Sequence, residues 1–194
     1  MPTPKPAKPA LPPFVRPLLA GALAATALSA IDVQAAIFLK ITGPDIKGES
    51  TNAKHKDEIV VTSFSQGYAA AIAAGAGGGA RAGRSACGPV DLTKELDVAS
   101  GPLISAAMKG TTLQKAVFSF TANLGDNQPA DYYVVTLSNS LVASVAQSSG
   151  GERPTESVEL VPRQVELKYL RQDQKGALAV ANTTLIDCAN LRVQ

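Results

Sequence analysis

The sequence predicts a mainly β protein, a sandwich or barrel of short antiparallel strands with one short flanking helix. Three observations predict it. Apolar and polar residues alternate in short runs, first at Ile37-Phe38-Leu39-Lys40-Ile41. β-Branched residues crowd Ile59 to Ser65. Turn clusters separate the runs, and only one segment carries the start and stop signals of a helix.

The elements follow in order. Ile37, Leu39 and Ile41 share one face of the first strand. Gly43-Pro44-Asp45 is turn chemistry, and Lys47 to Glu58 is too polar for a core. Ile59 to Ser65 reads as the second strand. Residues 66–88 read as a long Gly/Ala-rich loop, because Gly75, Gly77, Gly78, Gly79 and Gly83 keep neither period. Val90 to Leu96 alternates as a third strand. Between Ala99 and Lys109 a helix is expected, with Ser100 as N-cap, Pro102 in the first turn and Gly110 as the left-handed stop. Leu103, Ile104, Ala107 and Met108 form its apolar stripe. Leu113 to Ala122 turns Ala116, Phe118 and Phe120 one way. Tyr132 to Leu137, Leu141 to Gln147 and Val158 to Leu170 are further strands, the last with an edge or bulge at Pro162. Ala179 to Cys188 is the final candidate.

Residues 1–35 differ from the rest. Lys5, Lys8 and Arg16 precede a 13-residue apolar run, Leu18 to Ala30, which is short for a membrane span. Small residues close it at Val33-Gln34-Ala35. This order predicts a secretory leader cleaved after Ala35, so the domain is 36–194 and its location periplasmic or secreted. The alternatives are a disordered tail and an uncleaved anchor, and without use of the leader the chain stays cytoplasmic. Residues 36–194 hold 15 basic and 15 acidic residues, which excludes charge-driven binding to nucleic acid or to a membrane. Aromatics are 5% and Trp is absent, so the core must be mostly aliphatic.

Motifs for chemistry fail on context. Gly78 to Ser85 comes close to a phosphate-binding loop, but Arg84 replaces the lysine and Gly88-Pro89 interrupts any following helix. His55, the one histidine, lies in the polar loop with no cysteine or second histidine at ligand spacing. It reads as solvated. No catalytic residue, metal site or cofactor is expected, and the protein is not expected to be an enzyme.

Several short motifs keep their order along the chain. They are Phe38-Leu39-Lys40-Ile41, the turn Lys47-Gly48-Glu49-Ser50, His55-Lys56-Asp57-Glu58-Ile59, Thr93-Lys94-Glu95-Leu96-Asp97, Val142-Ala143-Ser144-Val145 and Pro154-Thr155-Glu156-Ser157-Val158. Across roughly residues 37–176 the chain resembles the Hcp family, the tube proteins of type VI secretion. The resemblance implies a compact barrel of two antiparallel sheets with one flanking helix. It implies six-membered rings that stack into a hollow tube, with effectors in the lumen and sheath and spike proteins as partners. It assigns ring stacking to the Gly-rich loop. The C-terminal segment, 177–194, is poorly matched. The alternative is a standalone exported binding module with the same fold.

Cys87 and Cys188 are the only cysteines. An exported chain meets an oxidising compartment, where the two are expected to pair. The alternative is two thiols that never meet.

Overall fold

A computed structural model describes residues 35–74, 80–123, 129–151, 153–173 and 177–193. Residues 1–34 of the expected leader, 1–35, lie outside the described residues, as do Gly75, Gly77, Gly78 and Gly79. Among the described residues, ten strands and one helix follow in the order β1 (Ala36–Thr42), β2 (Ile59–Val61), β3 (Ser63–Ala74), β4 (Ala80–Glu95), α1 (Ser100–Lys109), β5 (Thr112–Asn123), β6 (Pro129–Ser148), β7 (Thr155–Val161), β8 (Gln164–Gln172), β9 (Leu178–Asp187) and β10 (Arg192–Val193).

All the pairings are antiparallel. One sheet runs β10-β9-β8-β6-β5-β1-β2, and the other runs β3-β4-β7-β6. They share β6, a 20-residue strand. Its first half pairs with β8 and its second half with β7, on the same edge. The break between β7 and β8 falls at Pro162-Arg163, opposite Ser138 to Ser140. Proline has no N–H for a ladder, and Asn139 takes a positive φ of 52°. The Arg163 amide then bonds to the Ser138 carbonyl at 3.2 Å. The chain turns the barrel's corner there, so the two strands expected at Tyr132–Leu137 and Leu141–Gln147 are one bent strand. Closure comes at Thr62, between β2 on β1 and β3 on β4. Its amide donates to the Thr93 carbonyl at 2.8 Å, which completes the barrel.

Alternation fixes what the barrel buries. Leu39 and Ile41 of β1, Val90 and Leu92 of β4, Ala116 and Phe118 of β5, and Val135 and Leu137 of β6 all face inward. Phe64 stands edge-on to Phe118 and to Phe120, with ring centres 4.9 and 5.2 Å apart. These aromatics join the root of β3 to β5 across the interior.

Two expectations for the helix change. It ends as the sequence predicts, at Gly110 with φ 62° and ψ 35°. Its N-cap, however, is Ala99, with no side-chain cap. Ser100 lies inside the first turn because its hydroxyl has a more demanding partner, described below. The buried face is Ser100, Leu103 and Ala106, whereas Met108 is 84% exposed and Ile104 is on the rim. The helix therefore rests on the barrel by a face rotated from the expected stripe.

The largest difference lies in residues 66–88. β3 continues to Ala74 and β4 starts at Ala80, so most of the expected loop is a paired hairpin, with Gly83 inside β4. Backbone hydrogen bonds need no side-chain period, so an Ala/Gly run can pair while leaving no alternation to read.

Phe118 is fully buried at the centre of the interior. Phe118→Ala is expected to destabilise the domain by about 3–5 kcal/mol, from lost burial and the cavity left behind. Urea unfolding checks it, and a cost below about 1 kcal/mol would mean that the core lies elsewhere.

Candidate functional site

Motif residues far apart in sequence are joined into polar braces. The first brace is the turn Lys47-Gly48-Glu49-Ser50. The chain folds back here, with the Gly48 amide on the Asp57 carbonyl (2.9 Å), Ser50 on Glu58 (3.0 Å) and Asp57 on Ser50 (2.9 Å). A Cβ on Gly48 would lie 2.4 Å from the Glu58 carbonyl oxygen and the Ile59 Cα. That close approach is the physical reason for glycine. Ser50 is buried, and its hydroxyl accepts the Asn52 amide. Glu49 reaches across to accept the Val98 amide at 3.1 Å, tying the turn to the approach of α1.

The second brace is His55, and here the solvated reading is overturned. The residue is 5% exposed. Its ring stacks on Phe38, 4.4 Å between centres and 7° from parallel. Nδ1 lies 2.9 Å from Glu58 and Nε2 3.0 Å from Asp131. The flat ring covers an apolar face while its edges meet carboxylates, which a polar stretch of sequence does not reveal. Lys54 adds a bond to the Pro129 carbonyl. The loop is thus pinned to the start of β6.

The third brace is the deepest. Lys94 and Glu156 are both fully buried and directly opposed in the β4–β7 ladder. Lys94 Nζ lies 2.7 Å from Glu156 Oε2 and 2.7 Å from Asp97 Oδ1. It also donates to the Glu95 carbonyl and the Ser100 hydroxyl. Ser100 and Gln147 each donate to Glu156 at 2.6 Å. Asp97 accepts the Ala99 amide at 2.9 Å, which takes the place of the missing N-cap. Burial works against ionised Glu156. The bonds from Gln147, Lys94 and Ser100, with the Lys94 charge, outweigh it and hold the carboxyl below the usual glutamate range.

Among the described residues, no cluster of His, Cys, Asp and Glu is placed to hold a metal ion. Among the same residues, no helix is long and apolar enough to cross a membrane.

Cys87 of β4 and Cys188, after β9, are joined by a disulfide with Cα atoms 5.5 Å apart. The bridge sits at the base of the β3–β4 hairpin. Burial, then the neighbouring Tyr133, pushes the Tyr68 phenol there up to about 12. The turn after Cys188 is held by Asp187, which accepts both the Asn190 amide and its side-chain nitrogen.

A family model described as "Type VI secretion system effector, Hcp" matches residues 38–169. Solved structures are similar over most of the chain. A type six secretion system protein has 23% identity and TM-score 0.73, covering 83% of this chain and all of that one. Hcp1 from Salmonella typhimurium has 26% identity and TM-score 0.66, covering 82% and 99%. Hcp1 from the E. coli EAEC 042 pathovar has 23% and 0.63, covering 76% and 97%. No curated protein matches.

Two predictions follow from the third brace. Glu156→Ala leaves the buried Lys94 ammonium with Asp97 as its remaining carboxylate partner and is expected to cost about 3 kcal/mol in urea unfolding. Lys94→Met with Glu156→Leu removes both charges and should recover at least half of that, and a double variant no better than the single would refute the pairing. The second concerns acid. A carboxyl held low when folded stabilises the fold above its unfolded pKa, and that stability is lost as pH falls through the folded pKa. Unfolding midpoints should therefore drop below the ordinary glutamate range, and Lys94→Met/Glu156→Leu should flatten that drop.

Proposed function

The chain belongs to the Hcp family of type VI secretion proteins, and from that membership we propose that it is an exported structural protein whose six-membered rings stack into a tube. The observation that carries the reading is the outer edge of β3. Among the described residues, no strand pairs with that edge along its 12 residues. An open strand edge is a template for another chain, and in a ring it is used up by the neighbouring protomer. Exposed Val60, Leu96 and Val98 near the first brace add apolar area for such contact. The β3–β4 hairpin, with Gly83 in β4, takes the ring-stacking role, for which Gly75, Gly77, Gly78 and Gly79, outside the described residues, were the other candidates. The tube's lumen would carry effectors, and sheath and spike proteins would be its outer partners. The braces supply rigidity, and the protein performs no reaction.

Export rests on residues 1–35, with mature Ala36 beginning one residue before Ile37 of β1. The Cys87–Cys188 pair suits an oxidising destination.

Light scattering on the full chain at micromolar concentration tests the assembly. A particle of six chain masses is expected, and a monomer would favour the standalone binding module. N-terminal sequencing of protein from its host should return Ala36, and an intact Met1 would remove the export step.

A further inference from the structure

Residues 67–74 and 80–88 form an arm. β4 pairs with β7 only over Val90–Glu95, and β3 pairs only with β4. From Tyr68 outward, therefore, the hairpin has no strand partner among the described residues except itself. Its root is interrupted. The register shifts between Gln66 and Tyr68, where Gly67 and Gly88 face each other, and a Cβ on Gly88 would meet the Gly67 carbonyl at 2.9 Å. A small-residue break in a two-stranded ribbon is a place to bend.

The other end of the bridge is anchored differently. β9 pairs with β8 along nine positions, and the Cys188 and Ala189 amides both bond to the Arg163 carbonyl, at 3.0 and 3.3 Å. An apolar groove separates the two parts, with Tyr68, Ala70 and Ala86 on the arm and Ile186, Leu191 and Val193 opposite. Among the described residues, no strand pairing crosses it. The single covalent tie across the groove is Cys87–Cys188.

We propose that the Cys87–Cys188 disulfide is a redox latch that sets the arm against the C-terminal strands, so that ring stacking depends on oxidation. A dithiol reductant breaks the S–S bond. Its two thiols supply two electrons and two protons, leaving two cysteine thiols and the reductant's own disulfide. The C-terminal segment stays in place through β8 and Arg163, while the arm swings at Gly67/Gly88. This rests on the stacking role proposed above, because the arm is the surface said to stack. A chain held in a reducing cytosol would then present a loose arm, and an oxidised chain a fixed one.

Two readouts on the full chain separate this inference from the ring reading. The first is trypsin cleavage after Arg81 and Arg84, which requires the arm to open locally. Reduced protein and Cys87→Ser/Cys188→Ser should both be cut about tenfold faster than oxidised protein. Tryptic cuts within β8 should keep their rate, which shows that the barrel is folded. The second is electron microscopy, with stacks expected from oxidised protein and single rings from reduced protein and the double variant. Equal cleavage rates with and without reductant would overturn the latch, whatever the assembly state. Faster cleavage with equal stacking would overturn the gate on stacking. Rings absent in every sample, with the cleavage difference present, would overturn the ring reading and the gate while keeping the latch.

Discussion

The buried ion pair of Lys94 and Glu156 is the constraint on which the rest of this barrel depends. Removing two charges from water costs several kcal/mol per ion, and mutual attraction offsets that only if every remaining donor and acceptor finds a partner. Each partner here comes from a different element. Glu156 fixes the β4–β7 register, and Gln147 brings in β6. Ser100 and Asp97 set where α1 begins. Glu49 extends the same logic to the β1–β2 connection through Val98. A slip of one residue in β4 would move Lys94 out of the interior and leave Glu156 unpaired. The polar network therefore selects one register, which an aliphatic core packed on alternation alone would specify less sharply.

With the register fixed, the barrel's shape follows from where strands stop pairing on one side and start on another. Thr62 passes the chain from β1 to β4, and Pro162-Arg163 passes it from β7 to β8. Both transitions sit where a backbone amide finds a carbonyl outside the regular ladder. Which edges lack a strand partner among the described residues is then set by topology, and they include the outer edge of β3, most of the outer edge of β9 and the arm beyond Gly67. His55, Lys94 and Glu156 are spent inside the fold, whereas the motif charges Lys40, Lys47, Lys56, Asp57 and Glu95 stay on the surface.

Much of this was legible in the sequence, and the misses have physical reasons. Alternation identified β1, β5 and the inner parts of β4 and β6, because one-sided burial imposes a period of two. Gly110 announced the helix end through the left-handed φ that it adopts. The arm was not legible, because Ala and Gly pair through the backbone without leaving a pattern. His55 was not legible either, since its carboxylate Asp131 is 76 residues away. The Lys94–Glu156 pair did leave a signal. Lys94 has the parity of Val90 and Leu92, and Glu156 that of Val158 and Leu160, so each is a charge at an inward position. Opposite charges at inward positions of two strands are readable as partners. Ser100 shows the converse, because its fit to an N-cap was real but its hydroxyl goes to the buried pair.

On the proposed reading the barrel meets copies of itself through the open outer edge of β3, with its polar motifs serving as braces. Amide hydrogen exchange of the full chain across a dilution series addresses that edge directly. The β3 amides that make no bond to β4 should be protected at assembly concentrations and lose that protection on dilution, while β1 and β5 stay unchanged. Protection at the β3 edge that is the same at every concentration would contradict self-association through it.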